Sequence, residues 1–331
     1  MNKPFLLCSI LMVGLGLTAH AAEVNRTDLT WTDPNKAATE NMDFRFQGEY
    51  AINKEGQAWA VQVVALGDGR FDAYLLEGGL PGLGWDRQRA RIKLSGVRQG
   101  DLVSLASADG NVKAIIREGR IVVRRDGAQT ADLPRLVRKG PTLGAKPPEG
   151  AVVLFDGTSA EAWINGRVEN GLLPNADITT RQKFGDYHLH LEFRTPYKPY
   201  ARGQGRGNSG IYHQGRYETQ VLDSFALEGR SDECGGIYSI APPRINMCLP
   251  PLTWQTYDVD FTAARFDAND KVLEHAKITV RLNGVVIHRD QKLPKTTTSA
   301  PIGEITTAPG PIYIQHHGNP VYYRNIWIVP K

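Results

Sequence analysis

Cysteine is nearly absent from this sequence, with three in 331 residues, at positions 8, 234 and 248. No two of them form a C-x-x-C pair, so the spacing of a thiolate metal site is missing. Aromatic residues make up only 8% of the chain, and neither sign of charge dominates. The formal charge is +4, or +3 once the single charge of Lys3 is subtracted. Lys and Arg are scattered along the chain, so there is no basic footprint for a nucleic-acid partner. Beyond residue 22 no apolar run approaches the length of a membrane span. Long stretches with helical periodicity are also missing.

What is present begins with a leader. Lys3 precedes an apolar run from Phe5 to Leu17, and Ala19-His-Ala21 supplies small residues for a cut. Residues 1–22 are therefore expected to be a cleaved signal peptide, and the product to be secreted or periplasmic. Removing the leader takes Cys8 with it. The even pair that remains, Cys234 and Cys248, is expected to form one disulfide in an exported chain.

Punctuation is dense, with 34 Gly and 20 Pro. Short apolar runs over 58–66, 71–76, 103–106, 112–117 and 121–124 flank pairs such as Asp68-Gly69 and Asp109-Gly110. These pairs accept the positive φ angles of hairpin turns. Residues 23–136 read as a small antiparallel β domain in which no catalytic set groups. The segment 137–150 contains KGPTLGAKPPEG and is a Pro/Gly linker. From 151 to 331 strands are expected over 152–155, 187–194, 210–213, 217–222, 256–261, 276–282, 285–288, 312–316 and 326–329. Asn283-Gly284 is a hairpin signal. The fold class is all-β, with a C-terminal two-sheet sandwich after a smaller N-terminal β domain.

Side chains alternate across a strand, so parity sorts faces. In YHLHLEFR, Leu189, Leu191 and Phe193 are apolar, which leaves His188, His190, Glu192 and Arg194 together. In YETQVL, Glu218 and Gln220 oppose Tyr217, Thr219 and Val221. In IYIQHH, Tyr313, Gln315 and His317 oppose Ile312 and Ile314. Asn208 and Tyr212 join them from the preceding strand. A merely solvated face would be rich in Lys, Thr and Ser. This set bears instead the groups that hydrogen-bond hydroxyls and move protons. His213 points inward with Ile211, as a core histidine does.

Three other patterns fail. Gly205-Arg-Gly-Asn-Ser-Gly210 matches G-x-G-x-x-G but lacks the strand before and the helix after that a dinucleotide site needs. His188, His190 and Glu192 spread over about 13 Å of strand, too far to share one ion. His316 and His317 point to opposite faces.

The segment Asn208–Ser224, NSGIYHQGRYETQVLDS, strongly resembles the core signature of the 3-keto-disaccharide hydrolase domain family. Glu192-Phe-Arg194, Cys234-Gly-Gly-Ile-Tyr238, Trp254-Gln-Thr-Tyr-Asp258 and Gln315-His-His-Gly318 match it in order. The resemblance implies a concanavalin-like jelly roll and a carbohydrate partner, namely a glycoside oxidised to a ketone at C3. The ketone acidifies the C2 proton, so a base there would allow elimination of the C1 group and then hydration. Glu218 and His317 are the candidate base and acid, with Glu192 in reserve. Arg194 would face the developing oxyanion. Asn208, Tyr212, Gln220 and Gln315 would grip hydroxyls, Asp223 is a further contact or a turn residue, and Trp254 is a candidate aromatic platform. No cofactor is evident, and a divalent ion in place of Arg194 stays open. Two alternatives remain: a glycosidase using Glu192 and Glu218 as paired carboxylates, and a non-catalytic, lectin-like module on the same fold.

Overall fold

The computed structural model describes residues 26–331, so the expected leader over 1–22 lies outside the described residues. Among the described residues strand is the dominant regular structure. The one α-helix, Pro34–Glu40, starts on the Asp33 side chain, which caps it by accepting from the Lys36 amide,.

Eight antiparallel strands close a barrel in sequence order: Gly48–Tyr50, Trp59–Gly67, Arg70–Glu77, Arg91–Gln99, Leu102–Ala106, Val112–Arg117, Arg120–Arg125 and Ala128–Leu136. Closure comes from the first, which pairs with both the second and the last. Period-2 patterning fills the interior. Val112, Ala114 and Ile116 are buried while Lys113, Ile115 and Arg117 between them are exposed. Three of these strands, the first, fourth and last, escape the sequence reading because they mix polar and apolar residues without clean punctuation.

The rest of the chain is a β-sandwich. Its smaller sheet has five strands in the order Trp163–Ile164, Ile178–Thr180, Tyr313–His316, Ser209–His213 and Tyr217–Val221. The larger has seven. Six run in the order Leu173–Pro174, Tyr322–Pro330, Tyr187–Arg194, Gln255–Thr262, Ala276–Leu282 and Val285–Leu293, and Val152–Phe155 pairs off Tyr322–Pro330. Leu189, Leu191 and Phe193 from the larger sheet meet Ile211, Val221 and Ile314 from the smaller in one core. His213 lies in that core, fully buried, between Tyr187 Oη at 2.9 Å and Thr219 Oγ1 at 3.0 Å. Burial there pushes its pKa down to about 3, so it is neutral and satisfied.

One expectation is corrected. Cys234 and Cys248 are not joined; both are free, buried thiols. The two thiols are neighbours that hydrogen-bond each other; Cys234 Sγ also lies 3.4 Å from Tyr257 Oη, and Cys248 Sγ 3.5 Å from the Leu222 and Leu249 carbonyls. The segment after the barrel packs against the sandwich. Its residues 140–145 lie on the outer face of the larger sheet. Thr142 Oγ1 donates to Asp258 Oδ2 at 2.7 Å, and Asn325 Nδ2 donates to the Ala145 carbonyl at 2.9 Å. Among the described residues no helix is long and apolar enough to cross a membrane.

Candidate active site

The outer face of the smaller sheet carries a hollow of about 60 Å³, lined by Gln204, Asn208, Tyr212, Glu218, Gln220, Tyr238, Thr298, Ser299, Gln315 and His317. Three neighbouring strands build it. Register places Gly210 between Gln220 and Gln315, and Tyr212 between Glu218 and Tyr313. Gly210 is the floor. A Cβ there would stand 2.3 Å from Glu218 Oε1 and 3.0 Å from the Tyr212 ring. Only glycine lets the carboxylate lie flat across the strand.

Glu218 is 3% exposed. Tyr212 Oη donates to its Oε2 at 2.9 Å, and Gln315 Nε2 donates to that same Tyr212 oxygen at 3.2 Å. The Glu218 backbone N–H donates to Thr297 Oγ1 at 2.9 Å, which fixes the strand beneath it. Desolvation raises the Glu218 pKa to about 7, opposed only partly by the Tyr212 hydrogen bond. Burial and the adjacent Glu218 charge push the Tyr212 phenol far up, so it remains a donor. An acid held near neutrality in a cleft is suited to proton transfer.

The amide side of the hollow is a small network. Gln204 Oε1 accepts from Asn208 Nδ2 at 2.9 Å and from Gln220 Nε2 at 3.1 Å. Asn208 Oδ1 is buried with no hydrogen-bond partner among the described residues. His317 stands exposed at the rim. Across the opening, Ser239 Oγ and Thr298 Oγ1 meet at 3.0 Å and join two loops.

Asn208, Tyr212, Glu218, Gln220, Gln315 and His317 therefore come together as the strand parity predicted. Glu192, Arg194 and Trp254 do not: the first two lie on a strand of the larger sheet and Trp254 just precedes its neighbour Gln255–Thr262, on the other side of the sandwich from the hollow. Glu192 is fully buried beneath the segment from the barrel. It accepts from the Gly144 amide at 2.5 Å, Arg324 Nε at 2.6 Å and Asn325 Nδ2 at 3.0 Å. Although burial opposes ionisation, these donors and His190 win and hold its pKa at about 2. His190 stacks on Trp327 at 4.9 Å and bonds Asp258 Oδ1 at 2.7 Å, and His188 bonds Asp260 at 3.1 Å. Trp254 lies between the guanidiniums of Arg194 and Arg324, at 4.8 and 4.1 Å. Asp223 is also outside the hollow, buried in an ion pair with Arg206 Nε at 2.6 Å.

Gln204, Tyr238, Thr298 and Ser299 line the hollow without a signal in strand parity, because they come from loops. Among the described residues no three His, Cys, Asp or Glu side chains group to hold a metal ion.

Fold and hollow define a β-sandwich protein with one carboxylate, one imidazole and a row of amides on its smaller sheet. Residues 150–329 match the model of the 3-keto-alpha-glucoside-1,2-lyase-like domain, and the chain belongs to that family. A candidate glycosyl hydrolase of Parabacteroides distasonis ATCC 8503, solved at 2.13 Å, is 33% identical with a TM-score of 0.53. The match covers 61% of this chain and 94% of that one. A second candidate glycosyl hydrolase of that strain, solved at 1.70 Å, is 20% identical with a TM-score of 0.42, covering 55% of this chain and 94% of its own. Among curated proteins none matches. Family and first neighbour together support a carbohydrate-active enzyme.

Proposed function

We propose that this protein cleaves 3-keto-glycosides by elimination and hydration, with Glu218 as base and His317 as acid. The observation that carries this reading is Glu218 itself, the one carboxylate lining the hollow, held at about 7 over a glycine floor. In the first step Glu218 takes the C2 proton, which the C3 ketone makes acidic. The C1–O bond then breaks, and its electron pair leaves on the aglycone oxygen, which takes a proton from His317. Water adds across the resulting C1=C2 bond: hydroxyl goes to C1, its proton returns to His317, and Glu218 hands its proton back to C2. The net change is hydrolysis. With Arg194 on the far sheet, the enolate oxygen is left to neutral donors, for which the Gln315 and Asn208 amides are the candidates.

A two-carboxylate glycosidase is disfavoured, since Glu192 and Glu218 lie on different sheets and the hollow offers no second carboxylate. A lectin site favours exposed aromatic platforms and amide contacts, whereas this hollow sets a carboxylate and an imidazole together in its lining.

The test is to supply a 3-keto-glucoside and the matching unoxidised glucoside, each with and without chelator. Release of aglycone from the oxidised substrate alone is expected. Glu218→Gln and His317→Ala should each lose roughly 10²-fold or more in kcat. Cleavage of both glucosides, or near-normal rates in both variants, would defeat the reading.

A further inference from the structure

The barrel takes no part in lining the hollow, yet one segment runs from the barrel wall into the site. It leaves the larger sheet at Thr195 and reaches the smaller sheet at Asn208. Side chains along it divide between two destinations.

One set is gripped by the barrel. Tyr197 exchanges two backbone hydrogen bonds with Trp31, at 3.0 and 2.9 Å. Its ring is fully buried in the barrel's core cluster, 5.0 Å from Phe44 and 5.6 Å from Trp31. Tyr200 lies on Gly67, the last residue of the barrel strand Trp59–Gly67. A Cβ on Gly67 would meet the Tyr200 ring at 2.4 Å, and its φ of +84° is one that L side chains rarely adopt. Arg202 donates to the Leu66 carbonyl at 2.9 Å.

The other set supports the site. Lys198 is buried and donates to Asn319 Oδ1 at 2.9 Å, where the Gly207 amide also donates, at 3.1 Å. With two donors on that oxygen the Asn319 amide has one orientation, and its Nδ2 donates to the His317 carbonyl at 2.8 Å. Gln204 then holds Asn208 and Gln220 from one oxygen.

We infer that the barrel positions the hollow, with Tyr197, Tyr200 and Arg202 fixed on its wall and with Lys198 and Gln204 carrying that placement to His317, Asn208 and Gln220. These are positioning residues, none of which is assigned a chemical step. The inference rests on the proposed function for its kinetic readout alone, because the order of the segment can be measured without any substrate. Small misplacements of gripping groups are costly in rate.

The experiment uses the full chain with Tyr200→Ala, Tyr200→Phe, Gly67→Ala and, as control, Val103→Ala in the barrel core. Amide hydrogen exchange over 203–209 is measured beside kcat and KM on a 3-keto-glucoside. Tyr200→Ala and Gly67→Ala are expected to speed exchange over 203–209 and to lower kcat/KM by roughly 10- to 10²-fold, mostly through KM. Tyr200→Phe, which keeps the ring, should restore both. Val103→Ala should lower the melting temperature and leave both readouts alone. Unchanged exchange over 203–209 in folded Tyr200→Ala overturns the inference, as does an equal effect from Val103→Ala. A wild type that cleaves nothing defeats the proposed function, and the exchange data still decide this one.

Discussion

A carboxyl group held at about 7 by burial is ionised in roughly half the molecules at neutral pH, and its charge has cost folding free energy. The folded pKa lies above the unfolded value near 4.5. The stability this group allows is thus fully present below about 4.5 and is lost as pH rises toward 7. The penalty reaches about 3 kcal/mol once the carboxylate is charged. Glu218→Gln is therefore expected to raise the melting temperature at pH 8 and to leave it nearly unchanged at pH 4.5, while lowering kcat by roughly 10²-fold or more. In the wild type, kcat/KM should climb with pH through about 7, as the base ionises. Calorimetry at the two pH values and a pH–rate profile check both; a variant no more stable at pH 8 than the wild type would mean the carboxylate is not desolvated. At this scale the sequence is informative because period-2 alternation is local: Glu218, Gln220, Tyr212 and Gln315 can be sorted from their neighbours alone. His213 is sorted inward by the same rule.

Strand pairing is where that legibility ends. Glu192 and Glu218 look equivalent by parity, but the strand Tyr187–Arg194 pairs with Gln255–Thr262 and Tyr322–Pro330, while Tyr217–Val221 pairs with Ser209–His213. These partners are remote for the first and adjacent for the second, and no local pattern announces the difference. Residues outside the strands, such as Gln204 and Ser299, lack even parity, and a cysteine pair in the sequence does not reveal that two neighbouring sulfurs remain thiols. The sheet assignment turns Glu192 into a clamp on residue 144 rather than a catalyst. Its pKa of about 2 means its contribution is present above about 4.5 and is lost as pH falls through about 2. Glu192→Ala leaves Arg324, Asn325 and the Gly144 amide without their acceptor, a change expected to cost about 3 kcal/mol at pH 7. Turnover per folded molecule should stay within about twofold. Chemical denaturation beside a kcat/KM measurement separates the roles, and a rate loss of roughly 10²-fold without destabilisation would return Glu192 to the chemistry.

Barrel and sandwich have separate cores, but they share residues in both directions. Tyr197 and Leu252, from the sandwich side of the chain, are buried in the barrel cluster, and Val64 of the barrel is buried in the sandwich cluster. Arg87 donates to the carbonyls of Gly229, Pro243 and Arg244, at 2.8, 2.9 and 3.0 Å. Arg91 stacks over Tyr74 at 3.6 Å and donates to Glu228 Oε1 and the Ala226 carbonyl, both at 2.6 Å. If the barrel unfolded alone, it would leave Tyr197 exposed and these carbonyls without their partners. Glu192 would lose the Gly144 amide if residues 140–145 followed. Such shared burial makes the two parts unfold together. One calorimetric transition is expected, with equal calorimetric and van't Hoff enthalpies. Arg87→Ala, which leaves three carbonyls without their donor, should pull the transition down by several degrees. It should also begin to split the transition, with the barrel melting first. Two well-separated transitions in the wild type would mean that the barrel is an independent body, and that its contacts with Tyr197 and Tyr200 are too weak to set the geometry of the hollow.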